Sequence, residues 1–174
     1  FRRVLFRSPE KTYMNVVDVA QDPNDTEHHF LATNRSGLYE FRNYKLQKHY
    51  TYYKDDEYKA ADKYYAPCPL VTLRTSSSHY YYYVTLGGLN YDAGGNLWMC
   101  NTSTDTIVRI MKPDGKWLGY YYDDIRRMNS FDHIVFDRRG WVWINSRLTL
   151  NVSSTTGSTS TAGVIVINTN GTLD

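Results

Sequence analysis

The chain has 174 residues, a formal net charge of +2 and 17 tyrosines. This length suits one domain with its own core, and the near-neutral charge favours neither a nucleic-acid partner nor adsorption to an anionic membrane. No apolar run is long enough to cross a bilayer as a helix. The many Tyr, Thr, Val and Ile residues are typical of half-buried pleated strands, so the composition predicts an all-β fold.

The first eight residues, FRRVLFRS, differ in character from the rest of the chain. They contain three Arg and no acidic residue. The strand pattern described below does not need them, and their back-translation, with permitted codons, matches the end of a common sequencing adapter. Residues 1–8 are therefore predicted to be non-native sequence joined to a gene segment that starts near Pro9.

Three segments align with one another and indicate a repeat. They span residues 9–54, 84–124 and 125–174. In each segment an apolar strand precedes an Asp-led turn, in which the carboxylate caps its own turn and Gly or Asn accepts a positive φ. The turns begin at Asp22, Asp92 and Asp137. A second strand with an aromatic anchor follows, and the anchors are Phe30, Trp98 and Trp143.

A third strand, a tight turn and a fourth strand complete the unit, although the third segment ends where its fourth strand is expected. Four strands in about 40–50 residues are typical of a propeller blade. The sequence thus predicts a β-propeller segment of about three four-stranded antiparallel blades, the last one incomplete. A β-sandwich would explain the short strands, but it would not explain the aligned Trp98 and Trp143.

Two stretches interrupt the repeat. Residues 55–83 are predicted to be an insertion between blades, and residues 147–162, rich in Ser and Thr, a mobile surface loop. Because three blades cannot close a ring, we expect the first and third units each to expose a face that a neighbour should cover. The chain alone is therefore predicted to aggregate or oligomerise.

The string LNYDAGGNLWMCNTSTDTIVRI resembles the two-component regulator propeller repeat, and DRRGWVWINS is similar to a second copy. The string NVVDVAQDPNDTEHHFLATNRSGLYEFRNYKLQKHYTY, together with FDHIVFDRRGWVWINS, resembles the propellers of the PorZ family of type IX secretion components from Bacteroidetes-type bacteria. This resemblance implies an exported protein at the outer-membrane surface or in the periplasm. Its partners would be a sortase or other secretion proteins, anionic lipopolysaccharide, and the remaining blades of the parent chain.

A second interpretation stays open, in which the propeller is the periplasmic glycan sensor of a hybrid two-component histidine kinase. No catalytic motif is visible, so the chain is predicted to be neither an enzyme nor a holder of a cofactor or metal. His28 and His29 alternate on a strand and cannot easily share a metal ion. Cys68 and Cys100 lack metal-ligand spacing, and we expect free thiols, although a disulfide stays possible.

The remaining candidate is a binding face made by loops at one rim. The loops after the second strands and the loop after the second unit are expected to project there. Arginine suits phosphate and sugar-carboxylate groups because its planar guanidinium binds them at two points. The candidate ligand-binding residues are Asn34, Arg35, Asn101, Arg126, Arg127 and Arg147.

Overall fold

The computed structural model describes residues 15–72, 83–122, 125, 131–146 and 163–169. The predicted adapter segment, the loop 147–162 and three of the candidate binding residues lie outside these ranges. Those three residues are Arg126, Arg127 and Arg147. The described chain is dominated by β-strands, as the composition predicted, and its strands form three sheets in which hydrogen-bonded neighbours follow chain order.

Each predicted repeat unit forms one sheet, and the predicted strands are confirmed. Sheet 1 consists of β1 (Val16–Asp22), β2 (Asp25–Thr33), β3 (Leu38–Arg42), β4 (Lys45–Tyr50) and β5 (Tyr65–Ala66). Sheet 2 consists of β6 (Leu86–Tyr91), β7 (Leu97–Asn101), β8 (Val108–Met111) and β9 (Trp117–Tyr120). Sheet 3 consists of β10 (Phe131–Phe136), β11 (Val142–Ser146) and β12 (Gly163–Ile167). All pairs are antiparallel except β4 with β5.

The segment after β4 contains two elements that the sequence pattern did not predict. A short helix, α1 (Asp56–Ala61), buries none of its residues. The two-residue strand β5 then pairs in parallel with β4, so sheet 1 has five strands instead of the expected four. Neither element has the length or the apolar periodicity from which sequence reasoning recognises helices and strands.

The Asp-led turns form as predicted. Asp22, Asp92 and Asp137 each accept, through Oδ1, the backbone N–H of the residue two positions later, at distances of 2.8–2.9 Å. A carboxylate that satisfies its own turn in this way stabilises the local bend without help from the rest of the fold. This explains why the turn, rather than the strands, was the clearest repeated feature of the sequence.

The three sheets stack face to face in chain order. One buried apolar cluster joins sheet 1 to sheet 2, and a second joins sheet 2 to sheet 3. The first strands of the three sheets, β1, β6 and β10, lie side by side. Two hydrogen bonds of 2.9 Å join them: Asp18 Oδ2 accepts Leu89 N–H, and Asn90 Nδ2 donates to the Ile134 carbonyl. The approach is so close that a Cβ on Gly87 would lie 1.9 Å from the Phe131 carbonyl oxygen.

The two outer faces of the stack differ. On sheet 1, Leu31, Tyr39 and Phe41 are buried, whereas Val19, which pairs with Leu31, is 51% exposed, so the expected open face is limited to the first strand. One reason is that the segment after β4 packs on this side, where the Tyr53 hydroxyl donates to Asp62 at 2.8 Å beside the stacked rings of Tyr39 and His49.

On sheet 3, by contrast, the outer face carries four exposed apolar side chains. They are Val135, Trp143, Val164 and Val166, with 55%, 38%, 61% and 42% of their surface exposed. Exposed valines and a tryptophan in adjacent positions of one sheet form the kind of patch that usually marks an interaction surface. The expectation of an open face on the third unit is confirmed within the described residues.

Two further findings concern the cysteines and membrane insertion. Cys68 and Cys100 are both free, as expected, and Cys100 is fully buried. Of the residues described, no helical segment combines the length and the apolar content that crossing a bilayer requires.

Candidate functional site

The structure brings three of the sequence-predicted binding residues to the same end of the stack. Asn34 and Arg35 lie in the β2–β3 loop, and Asn101 ends β7. Thr85, in the connection between sheets 1 and 2, links them, because its hydroxyl donates to the Asn34 carbonyl at 2.9 Å and its carbonyl accepts from Asn101 Nδ2 at 3.3 Å. The Arg35 guanidinium lies 5.0 Å from the centre of the Tyr83 ring.

Of these three residues, Asn34 and Arg35 are exposed. Asn101 is fully buried, and its side-chain amide both accepts from Val71 N–H at 2.9 Å and donates to the Val71 carbonyl at 3.1 Å. The expectation that Asn101 projects towards a ligand is therefore wrong, since its amide fastens the connecting segment to sheet 2. A ligand-binding role for Asn34 and Arg35 stays a prediction.

A polar feature lies at the opposite end of the stack, where the β1–β2 turn of sheet 1 faces the β6–β7 and β8–β9 turns of sheet 2. A cleft of about 340 Å³ opens there between the two sheets, and we call it the inter-sheet cleft. This volume falls within the lower part of the range usual for small-molecule sites. Its lining includes Asp22, His28, Glu40, Arg42, Lys48 and Tyr50 from sheet 1 and Tyr91, Leu97, Met111 and Lys112 from sheet 2.

His28 is the centre of the polar wall. Its Nδ1 lies 3.1 Å from Asp22 Oδ2, and its Nε2 lies 3.1 Å from Glu40 Oε1. Each ring nitrogen thus lies within hydrogen-bonding distance of a carboxylate oxygen, and the ring links the β1–β2 turn to β3. The side chains of His28 and Glu40 are each 11% exposed, so water competes little for this contact.

Glu40 continues the network on its other oxygen. Tyr50 donates its hydroxyl to Glu40 Oε2 at 2.7 Å, and Lys48 Nζ lies 3.4 Å from the same atom. Burial, followed by the hydrogen bond to Glu40, raises the pKa of the Tyr50 phenol above its ordinary value. The phenol therefore stays protonated and serves as a donor to Glu40. Arg42 and Lys112 also line the cleft, so its cationic side chains are not limited to Lys48.

The wall contributed by sheet 1 departs from the pattern of the other two sheets. In sheet 2 a cross-strand row runs from Trp98 to Ile110 to Leu118, and in sheet 3 it runs from Trp143 to Val166. The row at the same place in sheet 1 runs from Phe30 to Glu40 to Lys48. The aromatic residue is retained, but two apolar positions are occupied by charged residues.

A second departure concerns the hydrogen bond to the turn aspartate. The indole N–H of Trp98 donates to Asp92 at 2.9 Å, and that of Trp143 donates to Asp137 at 3.2 Å, six residues back in both units. In sheet 1 the residue six positions after Asp22 is His28. An imidazole has a second nitrogen that an indole lacks, and this nitrogen extends the network to Glu40.

Sequence reasoning missed this site. It considered His28 only as half of a pair that cannot easily share a metal ion, whereas the structure brings Asp22, His28, Glu40 and Tyr50 together. The shared six-residue spacing from the turn aspartate was a signal that could have found His28. Within the described ranges, no three His, Cys, Asp or Glu side chains are arranged to hold a metal ion. Chemically, the arrangement offers carboxylates, an imidazole, a phenol and the cationic side chains of Arg42, Lys48 and Lys112 beside apolar residues of sheet 2.

One solved structure is similar to this chain over most of its length. It is PorZ, described as an essential bacterial surface component of the type-IX secretion system of Porphyromonas gingivalis. The two structures agree with a TM-score of 0.66 and 21% sequence identity, over 90% of this chain and 18% of the PorZ chain. No family model and no curated protein matches this sequence. The chain thus shares its fold with the part of PorZ that it matches.

Proposed function

We propose that the three sheets are consecutive blades of a β-propeller. Three features support this proposal: the sheets stack face to face, their first strands lie side by side, and the outer face of sheet 3 repeats the residue pattern of the covered face of sheet 2. In sheet 2 that face, with Trp98 and Ile110, is buried by sheet 3. In sheet 3 the same row contains Trp143 and Val166, and a further sheet of the same kind would cover it.

We further propose that this propeller belongs to a surface component of a type IX secretion system and acts as a binding module, without catalysis, in cargo processing and attachment. The observation that carries the proposal is the structural likeness to PorZ over 90% of the chain. The exposed Asn34 and Arg35 at one rim supply an amide and a guanidinium for an anionic lipopolysaccharide or a sortase.

Deleting the gene in the bacterium that carries it tests this proposal. Proteins that normally reach the surface should then accumulate in the periplasm or keep their C-terminal sorting domains, as measured by fractionation and mass spectrometry. Restoring the wild-type gene should reverse the defect, and an Arg35→Ala variant should restore it less well than a Lys59→Ala variant, whose lysine lies on α1. Normal cargo processing in the deletion strain would contradict the secretion role.

A further inference from the structure

We propose that the inter-sheet cleft binds a small zwitterion of the α-amino-acid class, which carries one ammonium and one carboxylate on an apolar body. The site is independent of the secretion role, because it follows from where the charged side chains lie in the cleft walls. It occupies the end of the stack at which the turns of sheets 1 and 2 face each other.

The acidic side chains of the cleft are more buried than the basic ones beside them on sheet 1. The side chains of Asp22 and Glu40 are 22% and 11% exposed, whereas those of Arg42 and Lys48 are 47% and 54% exposed. Half-buried Lys112, from sheet 2, adds a third cation to the lining. The cleft therefore has an acidic interior and a basic mouth, and a ligand with both charges meets each with its opposite.

The interior is acidic in either protonation state of His28. With a neutral imidazole, Asp22 and Glu40 supply two negative charges, and with a charged imidazole one negative charge remains. The Tyr91 phenol lies near the same carboxylates, because burial and then the charges of Asp22 and Glu40 raise its pKa, although Arg42 acts in the opposite direction.

This interior suits an ammonium group. Each oxygen of the Asp22 and Glu40 carboxylates already lies within hydrogen-bonding distance of one group on sheet 1, and each keeps a second lone pair. The phenol oxygen of Tyr91 is a third acceptor lining the cleft. An ammonium has three N–H donors, so these two carboxylates and one phenol match it in number.

The mouth suits a carboxylate. Arg42 donates to Asp25, which does not line the cleft, but this hydrogen bond uses only one of the five N–H donors of the guanidinium. Lys48 Nζ lies 3.4 Å from Glu40 Oε2, a long contact for an ammonium with three donors. Both side chains can thus bind a second anion without giving up the first.

The charge count favours a ligand with no net charge. The lining contains three cations and two carboxylates, and Asp25, bound to Arg42 from outside, supplies a third negative charge. A ligand with only an ammonium would meet the cations at the mouth, and one with only a carboxylate would meet Asp22 and Glu40 inside. Placing like charges together is costly, whereas a zwitterion leaves the balance unchanged.

Sheet 2 supplies the surface for the apolar part of the ligand. Met111 and the Tyr91 ring are partly exposed in the cleft and pack on the apolar cluster that joins sheets 1 and 2. The volume of about 340 Å³ suits a ligand the size of one amino acid. An aliphatic or aromatic side chain would lie against this surface, with its charged groups towards sheet 1.

The second interface of the stack offers an internal comparison. In sheet 2 the positions of Glu40 and Lys48 are occupied by Ile110 and Leu118, which pack against sheet 3. One acidic and one basic group of the proposed site therefore belong to the first interface alone, and we expect no amino-acid site at the second.

The test is ligand-observed saturation-transfer difference NMR on the full chain at micromolar concentration, which detects weak ligands of a monomer or an oligomer alike. The probes are L-leucine, L-methionine and L-phenylalanine. For the tightest of them, the amide keeps only the ammonium, the N-acetyl derivative keeps only the carboxylate, and the N-acetyl amide keeps neither. We expect at least one amino acid to bind with a dissociation constant of millimolar order or tighter, and each derivative at least about tenfold more weakly.

Two cleft variants locate the binding. Glu40→Gln keeps the shape of the side chain and removes its charge, and Lys48→Met removes a cation at the mouth, so each should weaken the amino acid about tenfold. The matched controls are Glu57→Gln and Lys59→Met, which remove the same charges on α1 and should leave the affinity unchanged. Circular dichroism checks the fold of each variant, and the exposed Lys48 stays informative if Glu40→Gln disturbs it. Failure of all three amino acids to bind, equal or tighter binding of a singly charged derivative, or unchanged affinity in the folded cleft variants would overturn the proposal.

Discussion

Trp98 and Trp143 occupy the same position in successive units, and this equivalence allows the contribution of sheet stacking to be measured. Each indole donates to a turn aspartate, at 2.9 Å and 3.2 Å respectively, so the lost hydrogen bond is nearly the same when either is replaced by Ala. The packing differs, because Trp98 is 1% exposed and meets the edge of the Phe136 ring at 5.7 Å, whereas Trp143 is 38% exposed.

We expect Trp98→Ala to lower the free energy of unfolding by about 3–5 kcal/mol, the usual cost of deleting a buried aromatic side chain. Trp143→Ala should cost only about 1–2 kcal/mol, since much of its surface is already in contact with water. Urea unfolding followed by circular dichroism measures both values. If the unfolding free energy depends on urea concentration with the same slope as in the wild type, the variants unfold in the same way. Equal costs, within about 0.5 kcal/mol, would refute the interpretation that sheet 3 lacks the covering that sheet 2 has.

Three further predictions concern single side chains. Asn101→Ala should lower the free energy of unfolding by at least about 2 kcal/mol, because it leaves buried backbone groups without partners. Asn34→Ala, in the exposed loop, should lower it by less than about 0.5 kcal/mol, and urea midpoints measure both changes. Hydrogen bonds from Arg139 lower the pKa of Asp137 to about 2. The stabilising effect of the Asp137 carboxylate should therefore be present above about pH 4 and lost as the pH falls towards 2. The urea midpoints of the wild type and of Asp137→Asn should accordingly converge across this range. Burial raises the pKa of the Cys68 thiol to about 11 and also raises that of Cys100, so at pH 8 a thiol reagent should modify Cys68 slowly and Cys100 only after unfolding.

Much of the fold was predictable because the repeated turns depend on interactions between residues that are close in the sequence. The Asp-led turns at Asp22, Asp92 and Asp137 need only their own backbone, and a strand follows each of them, so sequence pattern alone located the strands of the three units. The insertion was not predictable in the same way. Strand β5 exists only because the chain returns to the edge of β4, and no local pattern in two residues signals such a pairing.

The candidate site was harder to predict because strand register creates it. Glu40 and Lys48 lie opposite each other on β3 and β4, and a bulge between Glu40 and Phe41 shifts the pairing there, so their shared face cannot be counted from sequence spacing. The predicted exposure of Asn101 was wrong for a related reason. The sequence placed it in the loop after a strand, but it could not show that the connecting segment folds back over its amide.

The charged residues Glu40 and Lys48 of sheet 1 stabilise the interface with sheet 2 less than apolar residues would. Burying a side chain such as Ile110 or Leu118 stabilises a fold by about 1.5–3 kcal/mol, and sheet 1 forgoes this at the matching positions of Glu40 and Lys48. The ion pairs with His28 and Lys48 offset the cost of placing Glu40 there, but a buried pair is seldom more stabilising than the apolar residues it replaces. Sheet 1 therefore retains a polar cleft at positions where its own repeat supplies a more stable alternative, and proteins depart from the most stable choice mainly where a role other than stability requires it.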